Sequence, residues 1–297
     1  MARAGSNPAP GVIIMGIANQ IKTTVLLASL TGLLLAAGLW FGGELGLIAA
    51  FSIAMLMNGI SYFFSDKIVL KIYRAKEAEV SKYPRLHQIV NEIAEKAKLP
   101  KPKIYIIPAE NSNAFATGRN PQHAAVAVTK GIMDLLTENE LKGVLAHELA
   151  HVKNRDILIA SVAATIAGAI SFLAFMARWA AIFGGMRGGG RGRGMVELLV
   201  LAILTPILAT IIRLAISRSR EYLADKTGAE IIKDPKALAS ALAKLEEATK
   251  HKPMLFGNET TSHLFIVNPF RKSFLISIFS THPPMKERIK RLEEMKF

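Results

Sequence analysis

Long apolar blocks dominate the hydrophobic pattern of this 297-residue chain. Residues 23–41 and 45–64 contain no charged side chain, and each is close to the roughly 20 residues that a helix needs to cross a bilayer. They predict two N-terminal transmembrane helices joined by a short loop at 42–44. A third uncharged block of spanning length (157–177) and a shorter one (198–212) predict a second hairpin, which either crosses the membrane or only enters it.

Between and after these blocks the pattern is that of a soluble α+β domain. Apolar positions at helical spacing predict a helix over residues 83–99, which Pro100 ends. Two β-rich runs, 103–107 and 124–129, flank a polar, glycine-containing segment at 111–118. We expect three short strands here, and the middle one is a candidate for an exposed strand. Two further helices are predicted at residues 235–250 and 283–295. The chain is therefore expected to be a mainly α membrane protein with a small β element.

The sequence A-H-E-L-A-H at residues 146–151 contains an H-E-x-x-H motif. Residues four apart lie on one helical face, so His147 and His151 can bind one Zn²⁺ from the same side. Glu148 is placed to take a proton from a water at the metal. Thr137 and Glu140 match a capping box, which predicts that the motif lies on a helix beginning just after Thr137. With seven histidines in the chain, a chance match is improbable, on the order of one in a hundred. We predict one zinc ion per chain.

The composition restricts the chemistry and the partners. There is no cysteine, which excludes disulfides, thiolate ligands and a cysteine nucleophile. The formal net charge is +14, but the basic residues flank apolar blocks and no nucleic-acid-binding motif is present. The expected partner is therefore the lipid bilayer with its anionic headgroups, and not a nucleic acid.

The distribution of lysine and arginine predicts the orientation in the membrane. The loop at 42–44 has no basic residue, whereas a basic cluster follows residue 65 and contains Lys67, Lys71, Arg74, Lys76, Lys82 and Arg85. The positive-inside rule then places both termini and the catalytic domain in the cytoplasm of a multi-pass plasma-membrane protein. The arginine-rich residues 183–194 would lie outside, against the same rule, unless the second hairpin does not cross completely.

Two histidines do not complete a zinc site. The metzincin pattern is excluded because Asn154 and Ile157 stand where it requires glycine and histidine. The donors farther along the chain are His263, His282 and Glu221. If the third and fourth apolar blocks pair as an antiparallel hairpin, their cytoplasmic ends lie side by side, and this favours Glu221.

Taken together, these segments resemble the HtpX-type membrane metalloproteases, which are relatives of the CAAX prenyl proteases. The resemblance covers nearly the whole chain, including both N-terminal spans. The motifs that carry the resemblance are A-H-E-L-A-H at 146–151, K-N-R-D at 153–156, S-R-x-R-E-Y-x-A-D at 217–225, H-L-F-I-V-N-P-F at 263–270 and T-H-P-P-x-x-x-R-I at 281–289.

The resemblance implies a zinc endopeptidase with a gluzincin-like α+β domain on the cytoplasmic side and with zinc held by His147, His151 and Glu221. It also implies protein quality control, with misfolded or damaged membrane proteins, or other unfolded polypeptides, as substrates. Two alternatives stay open. One is a processing protease for prenylated C-termini, against which four short spans speak, and the other is a non-enzymatic membrane scaffold, against which the intact Glu148 speaks. The sequence gives no indication of the oligomeric state.

This interpretation divides the chain into five parts. They are an N-terminal tail (1–22), a first transmembrane hairpin (23–64), a first catalytic part with the H-E-x-x-H helix (65–156), a second membrane hairpin (157–216) and a second catalytic part with the third ligand (217–297).

Three further residues are candidates for the chemistry. Asp225 lies four residues after Glu221, on the same helical face, and is expected to orient a ligand histidine. His282, by resemblance to the prenyl proteases, is expected to act in catalysis as a hydrogen-bond donor to the developing oxyanion. Arg288 is either a second donor of this kind or a surface ion-pair partner of Glu287 or Glu293.

A substrate-binding strand is expected at Asn113, Ala114 and Phe115. Pairing of a substrate with the backbone of an exposed strand reads main-chain groups and tolerates many sequences. Such tolerance suits a protease that acts on damaged proteins. The alternative is that these residues form an ordinary loop.

Overall fold

The computed structural model describes residues 10–166, 218–251, 264–267 and 283–297. Its first helix, α1 (Pro10–Ile72), has one residue with non-helical backbone angles, Gly43, at φ 53° and ψ −140°. The helix begins within the predicted tail and continues past residue 64, so it extends beyond the predicted spans at both ends. Residues 42–44, which were predicted to form a loop, lie within this helix.

Helix α1 nevertheless folds back on itself as a hairpin. The Asn58 side chain donates a hydrogen bond of 2.8 Å to Thr31 Oγ1, across 27 positions of sequence. A straight helix would place residues so far apart about 40 Å from each other. The chain therefore reverses around Gly43, where the positive φ suits glycine because it lacks a Cβ.

The second half of this hairpin has the properties of a membrane helix. The segment Gly43–Ile72 is long and apolar enough to cross a bilayer, and Gln20–Ala36 is a shorter apolar helix. Large apolar side chains, including Leu45, Met55 and Leu56, are exposed along it. A surface of this size and polarity is typical of a segment in contact with lipid.

Four strands form one mixed sheet in the described part of the chain. They are β1 (Lys76–Glu77), β2 (Lys103–Ile107), β3 (Ala114–Gly118) and β4 (Ala124–Thr129), in the order β1-β2-β4-β3. Strands β2 and β4 are parallel, whereas β1 pairs with β2 and β3 pairs with β4 in antiparallel fashion. The three predicted strands are confirmed. The two-residue β1 is too short to give a periodic signal and was not predicted.

The H-E-x-x-H helix lies at the centre of the soluble domain. The described helices of this part, including the motif helix itself, are α2 (Pro84–Ala97), α3 (Lys130–Leu135), α4 (Glu138–Lys153), α5 (Ile157–Ile166), α6 (Arg218–Ile232), α7 (Pro235–His251) and α8 (Met285–Glu293). The motif is on α4, whose N-terminus carries the predicted capping box of Thr137 and Glu140. Apolar residues of α4, including Val144, Leu145 and Leu149, join the main core with α2, β4 and α7.

Two glycines allow this central helix to pack closely. A Cβ on Gly228 of α6 would lie 2.9 Å from the backbone nitrogen of His147, and one on Gly143 of α4 would lie 2.8 Å from the backbone nitrogen of Leu238 in α7. Real Cβ atoms do not approach backbone this closely. Helix α4 is thus held in close backbone contact with α6 and α7.

The predicted second hairpin is described only in part. Helix α5 begins at Ile157, where the third apolar block begins, and is described to Ile166. Residues 167–217, with the arginine-rich segment and the fourth block, lie outside the described residues. The extent of this hairpin stays a prediction.

Candidate metal centre

Three side chains with metal-ligating atoms converge between α4 and α6. His147 and His151 lie one turn apart on α4, and Glu221 lies in the first turn of α6. One ligand atom from each lies within 4.8 Å of the other two. The structure therefore brings together the three residues that the resemblance assigned to zinc. His263 and His282, the other two donors considered, lie outside the described residues.

The distances between these atoms suit one tetrahedral ion. The two Nε2 atoms are 3.2 Å apart, and two nitrogens bound to zinc at about 2.05 Å with a tetrahedral angle would lie roughly 3.3 Å apart. The Glu221 oxygens lie 3.8 Å from the Nε2 atoms of His147 and His151. A shift of about 0.5 Å would bring the carboxylate to the same spacing.

Carboxylates on the far side of each ring set the tautomers of both histidines. His147 Nδ1 donates to Asp225 Oδ1 at 2.9 Å, and His151 Nδ1 donates to Asp156 Oδ2 at 3.1 Å. With these protons on Nδ1, both Nε2 lone pairs point at one place. Lone pairs 3.2 Å apart repel unless a cation lies between them. The donor set therefore fits a divalent metal, and two imidazoles with one carboxylate are a zinc set with a fourth position open.

The charges around the site favour a cation. Burial by itself lowers the pKa of His151, but the neighbouring Asp156 and Glu221 raise that pKa to about 10. Burial lowers the pKa of His147 despite its contact with Asp225. Without a metal, His147 is thus neutral and the carboxylates hold a proton on His151. A metal ion that binds here displaces this proton, since both ligand imidazoles must be neutral.

Arg288 holds the carboxylate that orients His147. Its Nε and Nη2 donate to the two oxygens of Asp225 at 2.8 and 2.7 Å, and its Nη1 lies 3.6 Å from Glu221. Burial alone would raise the pKa of Asp225, but the guanidinium of Arg288 keeps this pKa below its usual range. Asp225 thus lies where it was expected, against a motif histidine.

The surface ion pair considered for Arg288 is wrong. The side chain is fully buried, and Glu287 pairs instead with Arg291 at 2.8 Å. Helix α8 turns Arg288 and Leu292 inward, while its other charged residues face outward. The sequence of a short, highly charged helix does not indicate which of its arginines is buried, because this depends on what packs against the helix.

Glu148 lies beside the two histidines and is 3% exposed. Burial raises the pKa of its carboxyl to about 8, although the charge of His151 and the nearby backbone N–H of Ala116 lower it in part. Ala116 belongs to β3, the strand at the end of the sheet order. Glu148 therefore lies near the edge of the sheet.

The expected exposure of residues 113–115 is wrong. Asn113, Ala114 and Phe115 are each fully buried. The Asn113 side chain donates to the carbonyl of Val267 and accepts from its N–H, and the Ala114 carbonyl accepts from Ile266 N at 3.4 Å. A segment about 150 residues away in sequence therefore covers the start of β3.

Asp156 is a site residue that the motif reasoning missed. Helix α4 ends at Lys153, and Arg155 has φ 62°, which turns the chain so that Asp156 returns to His151. Helical spacing cannot place a residue beyond such a turn. The available signal was the sequence K-N-R-D at 153–156, whose aspartate follows the second histidine closely.

The geometry of an H-E-x-x-H helix with a distant glutamate defines a metalloprotease, and the comparison of sequences agrees. Residues 81–296 match peptidase family M48, and the chain belongs to this family. It is 56% identical over 280 residues to the protease HtpX homolog of Persephonella marina, covering 93% of this chain and 97% of the relative. It is 52% identical over 281 residues to the protease HtpX homolog of Pyrococcus furiosus, covering 95% and 97%.

A more distant solved structure has the same fold. The crystal structure of S. mikatae Ste24p aligns with a TM-score of 0.50 and 18% identity, over 95% of this chain and 67% of that chain. The resemblance to HtpX-type membrane metalloproteases inferred from the motifs is thus confirmed, and so is the assignment as a metalloprotease.

Proposed function

We propose that this protein is a zinc endopeptidase of the plasma membrane that hydrolyses misfolded or damaged membrane proteins. The observation that carries the proposal is the convergence of His147, His151 and Glu221 next to a buried Glu148. The high identity to protease HtpX homologs supports the same activity. We assign one zinc per chain to these three residues.

The residues around the metal would divide the work as follows. Zinc, when bound, supplies a Lewis acid that lowers the pKa of water and polarises the scissile carbonyl. Asp225 and Asp156 hold the Nδ1 protons, so that each ring binds through Nε2 only. Glu148 accepts the proton of the attacking water and passes it to the leaving amine. Burial raises the pKa of this carboxyl, which makes it a stronger base, and a metal cation bound beside it would favour its ionised form.

Two further residues complete this assignment. We propose that His282, outside the described residues, donates to the oxyanion. Arg288 is assigned a positioning role, because two of its nitrogens are engaged by Asp225. Through Asp225 it determines the orientation of the His147 ring.

The substrate is proposed to pair along the outer edge of β3. The support is the position of β3 at the end of the sheet and the closeness of Ala116 to Glu148. Ile266 and Val267 occupy the edge at Asn113 and Ala114, and Ser161 binds Thr117 and Gly118. The substrate would therefore contact the strand at Ala116. Phe115 supports the strand from below by packing against Tyr73 and Phe265.

The finer topology belongs to the same proposal. We place both termini and the catalytic domain in the cytoplasm and keep the division at residues 23–64, 65–156, 157–216 and 217–297. Basic residues after the first hairpin support this orientation, and several of them, such as Lys67 and Lys71, are exposed.

The test uses full-length protein in nanodiscs with zinc and the variant Glu148→Gln. Wild-type protein is expected to cleave an unfolded membrane protein and to stop when a zinc chelator is added. Glu148→Gln should lower the rate by at least about a hundredfold, because general base catalysis supplies this much. The zinc content, measured by atomic emission on the same preparation, should be unchanged.

The outcomes discriminate between the functions. Loss of zinc from a folded Glu148→Gln variant would contradict the assignment of Glu148 as base. A prenylated CAAX peptide is included as a second substrate, and exclusive cleavage of this peptide would favour the processing protease. Absence of any cleavage with zinc bound would favour a scaffold.

A further inference from the structure

A cavity of about 430 Å³ lies where the N-terminal hairpin meets the soluble domain. Four parts of the chain line it: the first half of α1, its second half, the turn after β3 and the turn between α4 and α5. Its lining residues are Gln20, Thr23, Thr24, Leu27, Tyr62, Arg119, Asn120, Arg155, Ile157 and Leu158. Two of them are arginines, and none of these described residues is acidic.

The hydrogen bond between Asn58 and Thr31 aligns the two halves of the hairpin and so locates the cavity along its length. Moving four positions along each antiparallel half brings Leu27 opposite Tyr62, and both line the cavity. This is the end of the hairpin away from Gly43, next to the soluble domain. The cavity therefore lies at the level where lipid headgroups meet a membrane helix.

Exposed apolar residues adjoin the cavity. Val25 and Phe63 have exposed side chains and directly follow the lining residues Thr24 and Tyr62. The next residue, Phe64, is also exposed. A ligand that places a charged group between the arginines therefore has an apolar surface beside it. This combination fits a molecule with an anionic head and hydrocarbon tails, and it does not favour a small water-soluble anion.

Arg119 is held in place by its neighbours. Its Nη2 donates to His123 Nε2 at 2.8 Å, and its guanidinium lies 5.6 Å from the centre of the Phe63 ring. His123 Nδ1 in turn donates to Asn120 Oδ1 at 2.7 Å, so Arg119, His123 and Asn120 form one chain of hydrogen bonds. An arginine fixed in this way loses little side-chain entropy when it binds a phosphate with its remaining donors.

The charge near the cavity is positive. Arg155, the second arginine, has φ 62°, a left-handed conformation that residues with a Cβ rarely adopt. Lys22, a third basic residue, is adjacent to the lining residue Thr23. Arg119 and Arg155 line the same cavity, and a guanidinium group can donate several hydrogen bonds to the oxygens of a phosphate.

We propose that Arg119 and Arg155 bind the phosphate of one anionic phospholipid in this cavity, with its acyl chains along the exposed face of the N-terminal hairpin. The site joins the membrane helices to β3 through the turn that follows this strand. It shares the turn at Arg155 with the metal centre, because Asp156 contacts His151, but lipid binding there does not depend on the proposed protease activity.

Native mass spectrometry of the full-length protein tests this. Protein released from nanodiscs of phosphatidylcholine with 20% phosphatidylglycerol is expected to retain one phosphatidylglycerol. The variant Arg119→Gln/Arg155→Gln should bind it about tenfold or more weakly, because charge-assisted hydrogen bonds to the phosphate are lost. The matched control Lys71→Gln/Lys76→Gln removes two exposed positive charges near the same end of the hairpin but outside the cavity, and it should retain the lipid.

Three results would overturn the proposal. Equal loss in both double variants would mean diffuse attraction to basic residues. Equal retention of phosphatidylcholine would mean that the anionic head is not recognised. Displacement of the lipid by an equal concentration of glycerol 3-phosphate would make the site one for soluble phosphate. If the double variant does not fold, the single variants Arg119→Gln and Arg155→Gln, each with an expected weakening of several fold, give the same decision.

Discussion

At the scale of single residues, the metal site is shaped by the partners of each ligand. Asp225 and Asp156 lie on different elements, yet each accepts the Nδ1 proton of one histidine. Arg288 then ties Asp225 to a third element, α8. The site therefore depends on side chains from α4, α6, α8 and the turn after α4, although only two ligands and the base are close in sequence.

The third ligand gives the first prediction at this scale. Glu221→Gln removes the charge that faces both Nε2 atoms at 3.8 Å, so zinc affinity should fall at least about tenfold. Zinc occupancy under limiting metal measures it. The matched control Glu230→Gln, an exposed carboxylate on the same helix, should bind zinc normally.

His282 should behave in the opposite way. His282→Ala is expected to keep its zinc and to lose turnover by about a hundredfold, the effect of removing one oxyanion donor. Zinc content and kcat measured together on one preparation separate the two roles. If His282→Ala loses the metal while Glu221→Gln keeps it, the two assignments must be exchanged.

At the scale of elements, close packing of α4 against α6 brings the ligands together. A Cβ on Gly228 would meet the backbone of Ala146 and His147 at 2.9 to 3.0 Å. Backbone atoms of a buried helix cannot rotate away, so the two helices would have to separate. Glu221 and Asp225 lie on the helix that would move.

Gly228→Ala should therefore weaken both stability and zinc binding. We expect a loss of about 1–3 kcal/mol in the free energy of unfolding, as for other overpacked cores, together with at least about tenfold weaker zinc binding. Thermal unfolding and metal titration measure the two effects. Gly59→Ala is the control, because nothing lies within 4 Å of its added Cβ. Unchanged zinc affinity in Gly228→Ala would show that α6 does not need this contact.

The capping residue of α4 gives a prediction about pH. Burial alone would raise the pKa of Glu140, but hydrogen bonds from Lys244, Ser240 and Thr137 lower it to about 2. A pKa below the unfolded value of 4.5 means that the ionised carboxylate stabilises the fold above pH 4.5. This contribution is lost as the pH falls from 4.5 towards 2.

Glu140→Gln should cost about 2 kcal/mol at pH 7, less than the full linkage value because Lys244 is partly exposed. Melting temperatures of variant and wild type should converge as the pH approaches 2. The control Glu138→Gln changes an exposed carboxylate of the same helical turn and should have a small effect. A difference in melting temperature that is independent of pH would contradict the role of the charge.

At the scale of the whole molecule, the hairpin and the protease domain share one boundary. The end of α1 reaches the domain through Tyr73, whose ring lies 5.7 Å from Phe115 and 4.8 Å from Phe265. Phe115 belongs to the strand proposed to bind substrate. The membrane anchor is therefore packed directly against the element that positions the substrate.

The orientation of the whole protein is the prediction at this scale. Reporter fusions at Gly43 and after Phe297 should report opposite sides of the membrane, with Phe297 in the cytoplasm, because the basic residues follow the first hairpin. A fusion at Gly190 tests whether the second hairpin crosses. The same side for Gly43 and Phe297 would contradict this topology.

Local patterns in the sequence were enough for the elements and for part of the site. The capping box, the 3.6-residue period of α2 and the β-rich runs each depend on neighbouring residues only, and all three reappear in the structure. The pairing of His147 with His151 likewise needs only one helical turn. The early start of α1 at Pro10 was missed because its first apolar residues, 12–18, form a short run that Asn19, Gln20 and Lys22 interrupt.

The sequence by itself thus determined the family, the apolar hairpin and the metal motif, since each is encoded within a few turns of chain. Only the tertiary structure decided that Arg288 is buried against Asp225, that Asp156 returns to His151, and that residues 264–267 cover the start of β3. These contacts join segments separated by 5 to 154 positions. They depend on how helices and strands pack, and local periodicity carries no information about which distant side chain meets another.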